Sequence, residues 1–266
     1  MRRRHVRRKP MIPVPQKPKV TAIGENVSKF EILGCYPGYG ATLGNAIRRV
    51  LLSSLEGAAA QSVKIKGVSH EFTAIPGVLE DAVQILLNLK QLRFRLHGDE
   101  AVMVSLKAKG DGVVKAGDIK APSSVEIVNP DQHIVTLTDK KAEFEMELEI
   151  GKGIGYVPVE ARENEEREIG TIALDSIYTP VRRVNYEVEN MRVGKRTDYD
   201  KVSIEVVTDG SVAPEVAFAK AVDILVGQFT AIQEDEATAE AVEAPKKAAK
   251  KTVKKEKAET ETETAE

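Results

Sequence analysis

Residues 142–150 read AEFEMELEI, and this strict alternation limits the fold more than any other stretch. Phe144, Met146, Leu148 and Ile150 fall on one side of an extended chain, and Glu143, Glu145, Glu147 and Glu149 on the other. A helix would scatter both sets around its circumference. The pattern therefore predicts an antiparallel sheet with one face buried and one in water. Strand-like runs at 101–106, 125–128 and 133–137 extend it through a glycine-punctuated region from 94 to 177. Residues 20–36 read as two strands about Gly24, Glu25 and Asn26. Residues 62–66, 181–188 and 201–207 read as three more.

Three stretches carry the helical period instead. Residues 38–55, GYGATLGNAIRRVLLSSL, predict a glycine turn leading into a helix, with Thr42 as its cap. Leu43, Ala46, Ile47, Val50, Leu51 and Ser54 share one face, and Asn45, Arg48, Arg49 and Leu52 the other. Asn45, Arg49 and Leu52 form a single stripe that is either a solvated face with one stray leucine or a protein interface, where Arg and apolar anchors are at home. Residues 78–92 predict a second helix, with Glu80 and Asp81 in its first turn complementing the dipole. Val78, Ala82, Ile85, Leu89 and Leu92 line one side, and Val83, Leu86 and Leu87 spread apolar surface nearly all round, so burial on several sides is expected. Pro214 opens the third helix, whose seam is Phe218, Ala221, Val222, Leu225, Phe229 and Ile232.

The net charge is −2, so the whole chain makes no electrostatic claim on nucleic acid. Charge is concentrated locally: Arg2, Arg3, Arg4, Arg7, Arg8 and Lys9 crowd the start, and 160–168 is an acidic run. Residues 1–18 are expected to be a disordered basic, proline-rich arm, with Met11 as an alternative start. Residues 234–266 contain no aromatic, Leu or Ile and are expected to be a disordered tail. Cys35 is the only cysteine, which fits a reducing, cytoplasmic setting and a half-buried packing role. No apolar run is long enough to span a membrane.

Chemistry is sparse. Gly38, Gly40 and Gly44 are spaced G-x-G-x-x-x-G, which is not the dinucleotide fingerprint, and no Gly-Lys-Ser/Thr follows. His5, His70, His97 and His133 share no metal-ligand spacing. His70 and Glu71, taken as strand neighbours, would point to opposite faces. No catalytic residue, metal or cofactor is expected, and a scaffold is favoured over an enzyme. The alternative is a DNA-binding or adaptor protein acting through the basic arm.

Four long motifs in order carry a resemblance. They are GYGATLGNAIRRVLLSSLEGAA at 38–59, GVSHEFTAIPGVLEDAVQILLNLKQL at 67–92, GYVPVEAR at 155–162 and IYTPVRRVNYEVENMRVGKRTDYDKVSIEVVTDG at 177–210. Together they resemble the N-terminal domain of bacterial RNA polymerase alpha subunits, over residues 19–232. The family usually has an acidic and a basic residue just before the glycine turn, where this chain has Gly34, Cys35, Tyr36 and Pro37. The resemblance implies an α+β fold: a discontinuous α/β dimerisation domain at 19–58 and 177–233, interrupted by a β-rich insert at 59–176. It implies a homodimer that binds beta through one copy and beta-prime through the other, meeting DNA only in the assembled polymerase. The polymerase's magnesium would belong to beta-prime. By resemblance, beta contacts fall at Asn45, Arg48, Arg49 and Leu52, at His70, Glu71, Phe72 and Thr73, and at Gly77, Val78, Glu80 and Asp81. Beta-prime contacts fall at Lys90, Arg182 and Arg196. The dimer interface takes Leu43, Ile47, Val50 and Leu51 from one helix and Phe218, Val222, Leu225, Phe229 and Ile232 from another. The family's usual C-terminal DNA-binding domain is expected to be absent, with weak DNA attraction at most from 234–266.

Overall fold

A computed structural model describes residues 12–162 and 168–233. The expectations for 1–11, for 163–167 of the acidic run and for the 234–266 tail fall outside the described residues. Strands β1 (Lys19–Gly24) and β2 (Val27–Cys35) pair antiparallel about Glu25 and Asn26, where the sequence places a turn. Ser28, Phe30 and Ile32 on β2 are buried, with Lys29 and Glu31 between them on the other face. Cys35 is fully buried rather than half-buried, and burial, with the nearby Asp200 charge, pushes its thiol pKa up. Helix α1 (Tyr39–Ser53) follows. Thr42 lies inside it and does not cap it. Gly38 is the N-cap at φ 85°, a left-handed conformation suited to glycine. The amides of Gly38 and Gly40 both donate to Asp200 Oδ2, at 2.9 Å each. A carboxylate brought from far along the chain thus does the capping, at the helix end where negative charge is favoured. The helix stops before Leu55. Its buried face includes Gly40 and Gly44, where an added Cβ would come within 2.8 Å of Asp200 and 2.6 Å of the Tyr186 ring. Small residues let α1 lie directly against the sheet.

Strand β3 (Glu56–Ile65) starts well before the expected 62–66. Helix α2 (Ala82–Lys90) is shorter than the expected 78–92 because Asp81 caps it, accepting from the Gln84 amide at 2.8 Å. Residues 78 and 79 are held outside it: Val78 bridges to Leu137, and the Leu79 amide donates to Thr136 O. Ala82, Ile85 and Leu89 are buried, but Leu87 is 53% exposed, so α2 is not covered all round. Then come β4 (Phe94–Leu96), β5 (Val102–Lys109), β6 (Gly112–Lys115), β7 (Val125–Ile127), β8 (His133–Leu137) and β9 (Glu143–Ile154). One sheet runs β5-β9-β3-β4-β7, and β6 and β8 form a separate ribbon. On β9 the alternation is fulfilled. Phe144, Met146, Leu148 and Ile150 join the α2 residues in one apolar core. The glutamates face lysines: Lys107–Glu145, Lys109–Glu143 and Lys66–Glu145. Such exposed pairs are screened by water and contribute little, whereas a buried large apolar side chain contributes about 1.5–3 kcal/mol, so the core side holds the sheet.

Strands β10 (Tyr156–Val157) and β12 (Ser176–Ile177) pair with each other, while β11 (Thr171–Ala173) adds to β3. A long hairpin follows, β13 (Val181–Val193) and β14 (Arg196–Thr208), turning at Gly194 with φ 65°. Both strands run past the expected 181–188 and 201–207. Their outer ends are polar, and backbone pairing there leaves no apolar signature. The order β1-β2-β14-β13 joins the first and last strands in a four-stranded sheet. Helix α3 (Pro214–Gln233) starts at proline as expected. Glu215 accepts from the Ser28 hydroxyl at 2.6 Å, and Phe218 stacks on Phe30 with centroids 4.2 Å apart. The first compact unit ends at Val222 and the second begins at Asp223. The described fold is mixed α and β, mostly strand with three α-helices. Among the described residues, no helix is long and apolar enough to cross a membrane, and no cluster of His, Cys, Asp or Glu has metal-site geometry.

Candidate assembly surfaces

On α1 the face opposite the buried Ile47 and Leu51 carries exposed Asn45 and Arg49 and half-buried Leu52. Arg49 has no ion pair among the described residues. Arg48 differs, because its Nε donates to Val184 O at 3.3 Å and ties the helix to β13. The projecting stripe is therefore Asn45, Arg49 and Leu52.

His70, Glu71, Phe72 and Thr73 lie in an exposed turn, not on a strand. The Thr73 hydroxyl donates to His70 O at 2.9 Å, and Phe72 is 78% exposed. Gly77 sits at φ 77° and its carbonyl accepts from the Thr138 amide. Glu80 works inside the chain: Oε2 accepts from the Thr136 amide at 2.7 Å and Oε1 lies 2.8 Å from His133 Nε2. Burial disfavours its charge, but the Thr136 amide and the His133 ring outweigh this and hold its pKa below the usual carboxylate value. The stabilisation is present above the unfolded pKa and is lost as pH falls through the folded one. Glu80→Gln is expected to cost about 1.5–3 kcal/mol at pH 7, with the deficit shrinking below about pH 4. Urea midpoints of both proteins at pH 7 and pH 3.5 check this; an equal deficit at both would contradict it.

Lys90 and the 70–72 turn, assigned by resemblance to different large subunits, line the same open groove of ≈ 730 Å³. Lys90 Nζ is 2.7 Å from Asp175 Oδ2, and Asp175 Oδ1 accepts from the Val159 amide at 3.0 Å. Lys90 and then that amide hold the Asp175 carboxyl below its usual pKa. Asp175, absent from the expected set, thus ties α2 to the segment after β10. Val83, Leu87 and Lys90, spaced i, i+4, i+7, were the sequence sign of a second, uncovered stripe on α2.

Arg182 and Arg196 do not share one patch. They stand at opposite ends of the β13–β14 hairpin, about 36 Å apart at strand rise. Arg196 grips Asp198 in a bidentate pair at 3.0 and 2.6 Å and lies over the rings of Tyr36 and Tyr199, at 5.7 and 5.3 Å. The apolar set expected at a dimer interface also divides. Ile47, Leu51 and Phe218 are at most 7% exposed within one chain and have no surface left to offer a second copy. Leu43, Val50, Val222 and Leu225 are half-buried, and Phe229 and Ile232 are 65% and 80% exposed.

Comparison with known proteins adds the context these surfaces need. Residues 63–179 match the family described as "RNA polymerase Rpb3/RpoA insert domain". The chain is 52% identical over 214 residues to the DNA-directed RNA polymerase subunit alpha of Alkaliphilus oremlandii, covering 79% of this chain and 67% of that protein. It is 54% identical over 193 residues to the protein of the same name from Geobacter metallireducens, covering 73% and 56%. With that of Symbiobacterium thermophilum it shares 49% over 214 residues, covering 79% and 68%. The chain thus spans between 56% and 68% of the length of these relatives.

Proposed function

The chain belongs to the family of DNA-directed RNA polymerase alpha subunits, and from that premise we propose that it is an assembly platform: two copies pair, and the pair binds beta and beta-prime. The observation that carries this is the 52% identity over 214 residues with a named alpha subunit. The polymerase as a whole is a nucleotidyltransferase acting in the cytoplasm. This subunit contributes contacts rather than catalytic groups, and it meets DNA only through the assembled enzyme. The dimerisation part takes 19–58 and 177–233, a division supported by the sheet that joins β1 and β2 to β13 and β14. The insert takes 59–176, with β3 passing between the two from Glu56. Pairing uses the apolar side chains a single chain leaves open, Phe229 and Ile232 with half-buried Leu43, Val50, Val222 and Leu225.

The Asn45–Arg49–Leu52 stripe is the beta-facing contact. As a desolvated interface anchor, Arg49 would lose about 2 kcal/mol or more on truncation, roughly thirtyfold in affinity. Arg49→Ala should therefore weaken capture of purified beta about thirtyfold while the chain stays folded and dimeric. Unchanged capture by a folded variant would return the stripe to a solvated face.

A further inference from the structure

The groove between the 69–72 turn and α2 has chemistry that goes beyond its place in assembly. Its floor is apolar and well packed: Ile172 and Leu174 are 7% and 1% exposed. Its rim is apolar and uncovered, with Phe72 at 78% and Leu87 at 53% exposed. Large apolar side chains left in water around a concave surface mark a protein contact. The charges decide what kind. Lys90 and Asp175 neutralise each other at 2.7 Å, and the second Asp175 oxygen is occupied by the Val159 amide. The His70 ring lies 3.2 Å from the Thr73 hydroxyl. Glu71 and Glu160, both exposed, have no ion-pair partner among the described residues. Among the described residues that line the groove, the uncompensated charge is therefore negative. A nucleic acid or an acidic peptide would be repelled there, and a carboxylate would find Lys90 already paired.

We propose that this groove takes an apolar segment of a large polymerase subunit that carries Lys or Arg beside its anchor: the anchor covers Phe72 and Leu87, and the bases meet Glu71 and Glu160. The inference rests on the assembly reading above and adds the chemistry of the occupant. It follows from charge complementarity. Opposite charges at the rim of an apolar contact select the partner and its register, and a partner with the wrong sign would leave the two carboxylates facing like charge.

The test is photocross-linking in the polymerase assembled in cells. Leu87 is replaced by benzoylphenylalanine in one strain and Arg49 in another, and the linked peptides are identified by mass spectrometry. The expected result from position 87 is a peptide of a large subunit with at least two Lys or Arg residues next to an apolar one. In parallel, the double variant Glu71→Lys, Glu160→Lys, co-expressed with the unaltered chain, should enter polymerase at least tenfold less often. Glu71→Gln with Glu160→Gln should show a smaller loss. An acidic or uncharged peptide, DNA, or no product from position 87 while position 49 links to a large subunit would overturn the inference and leave the assembly reading standing. Equal incorporation of the Lys variant would also overturn it. No product from either position would overturn both.

Discussion

Arg93→Ala is expected to destabilise the fold by about 3–5 kcal/mol, the cost of removing one partner from a buried ion pair. Arg93 Nε lies 3.3 Å from Asp209 Oδ2, and the two side chains are only 19% and 5% exposed. Arg93 also donates to the carbonyls of Lys90 and Leu92. Burial pulls its pKa down, and the Asp209 charge opposes that. Asp209 in turn accepts from the amide and hydroxyl of Ser211. Without Arg93 this carboxylate would be left charged and dry, partly compensated by Ser211, which points to the lower end of the range. Arg95 closes the same joint through the carbonyls of Gly210 and Ser211. The contrast is Arg183–Glu205, an ion pair with side chains 63% and 34% exposed, where Arg183→Ala should cost less than about 1 kcal/mol. Urea unfolding of the three proteins checks both. Equal midpoints for Arg93→Ala and Arg183→Ala would show that the buried pair carries no special weight.

The second large effect lies at Gly57. An added Cβ there would sit on the carbonyl oxygen of Tyr178, far inside van der Waals contact, and backbone cannot swing aside as a side chain can. Gly57 pairs with Gly153 on β9, where a Cβ would come within 2.6 Å of the Tyr178 ring. The ring is buried in the slot these glycines leave, and its hydroxyl accepts from Gln61 Nε2 at 2.9 Å. Gly57→Ala should cost about 3 kcal/mol or more, at the top of the range for overpacking. At Gly24 an added methyl would meet only Val27 at 3.8 Å, an ordinary contact, so Gly24→Ala should be nearly neutral. Thermal unfolding that ranks the two variants together would contradict the close approach at Gly57.

These two sites also show where sequence stops informing structure. The alternation at 142–150 was legible because burial on one face and water on the other write themselves into every second residue. The seam on α3 was legible in period but not in depth: Phe218 is covered by Phe30 from β2, whereas Phe229 and Ile232 are open. Nothing local distinguishes them. The cap of α1 was misread because Thr42 is a good capping residue in isolation. The carboxylate that does the work, Asp200, is distant in sequence and becomes a neighbour only when β14 pairs with β2. The extent of α2 was misread for a related reason. Glu80 looks like a first-turn acid until His133 and the Thr136 amide, on β8, hold it outside the helix. Gly40 belongs to the expected glycine turn, yet it lies in the first turn of α1 and, like Gly44 further along, is a packing glycine, the two facing Asp200 and Tyr186. The motifs behind the family resemblance were plain, but sharing one groove between the 70–72 turn and Lys90 needed the fold.

The most direct measurement is the native mass of the complex recovered through a tag on this chain from its own cells. Assembly on a paired platform predicts one species containing two copies of the chain with one beta and one beta-prime. A species with a single copy, or recovery of the chain without either large subunit, would contradict it.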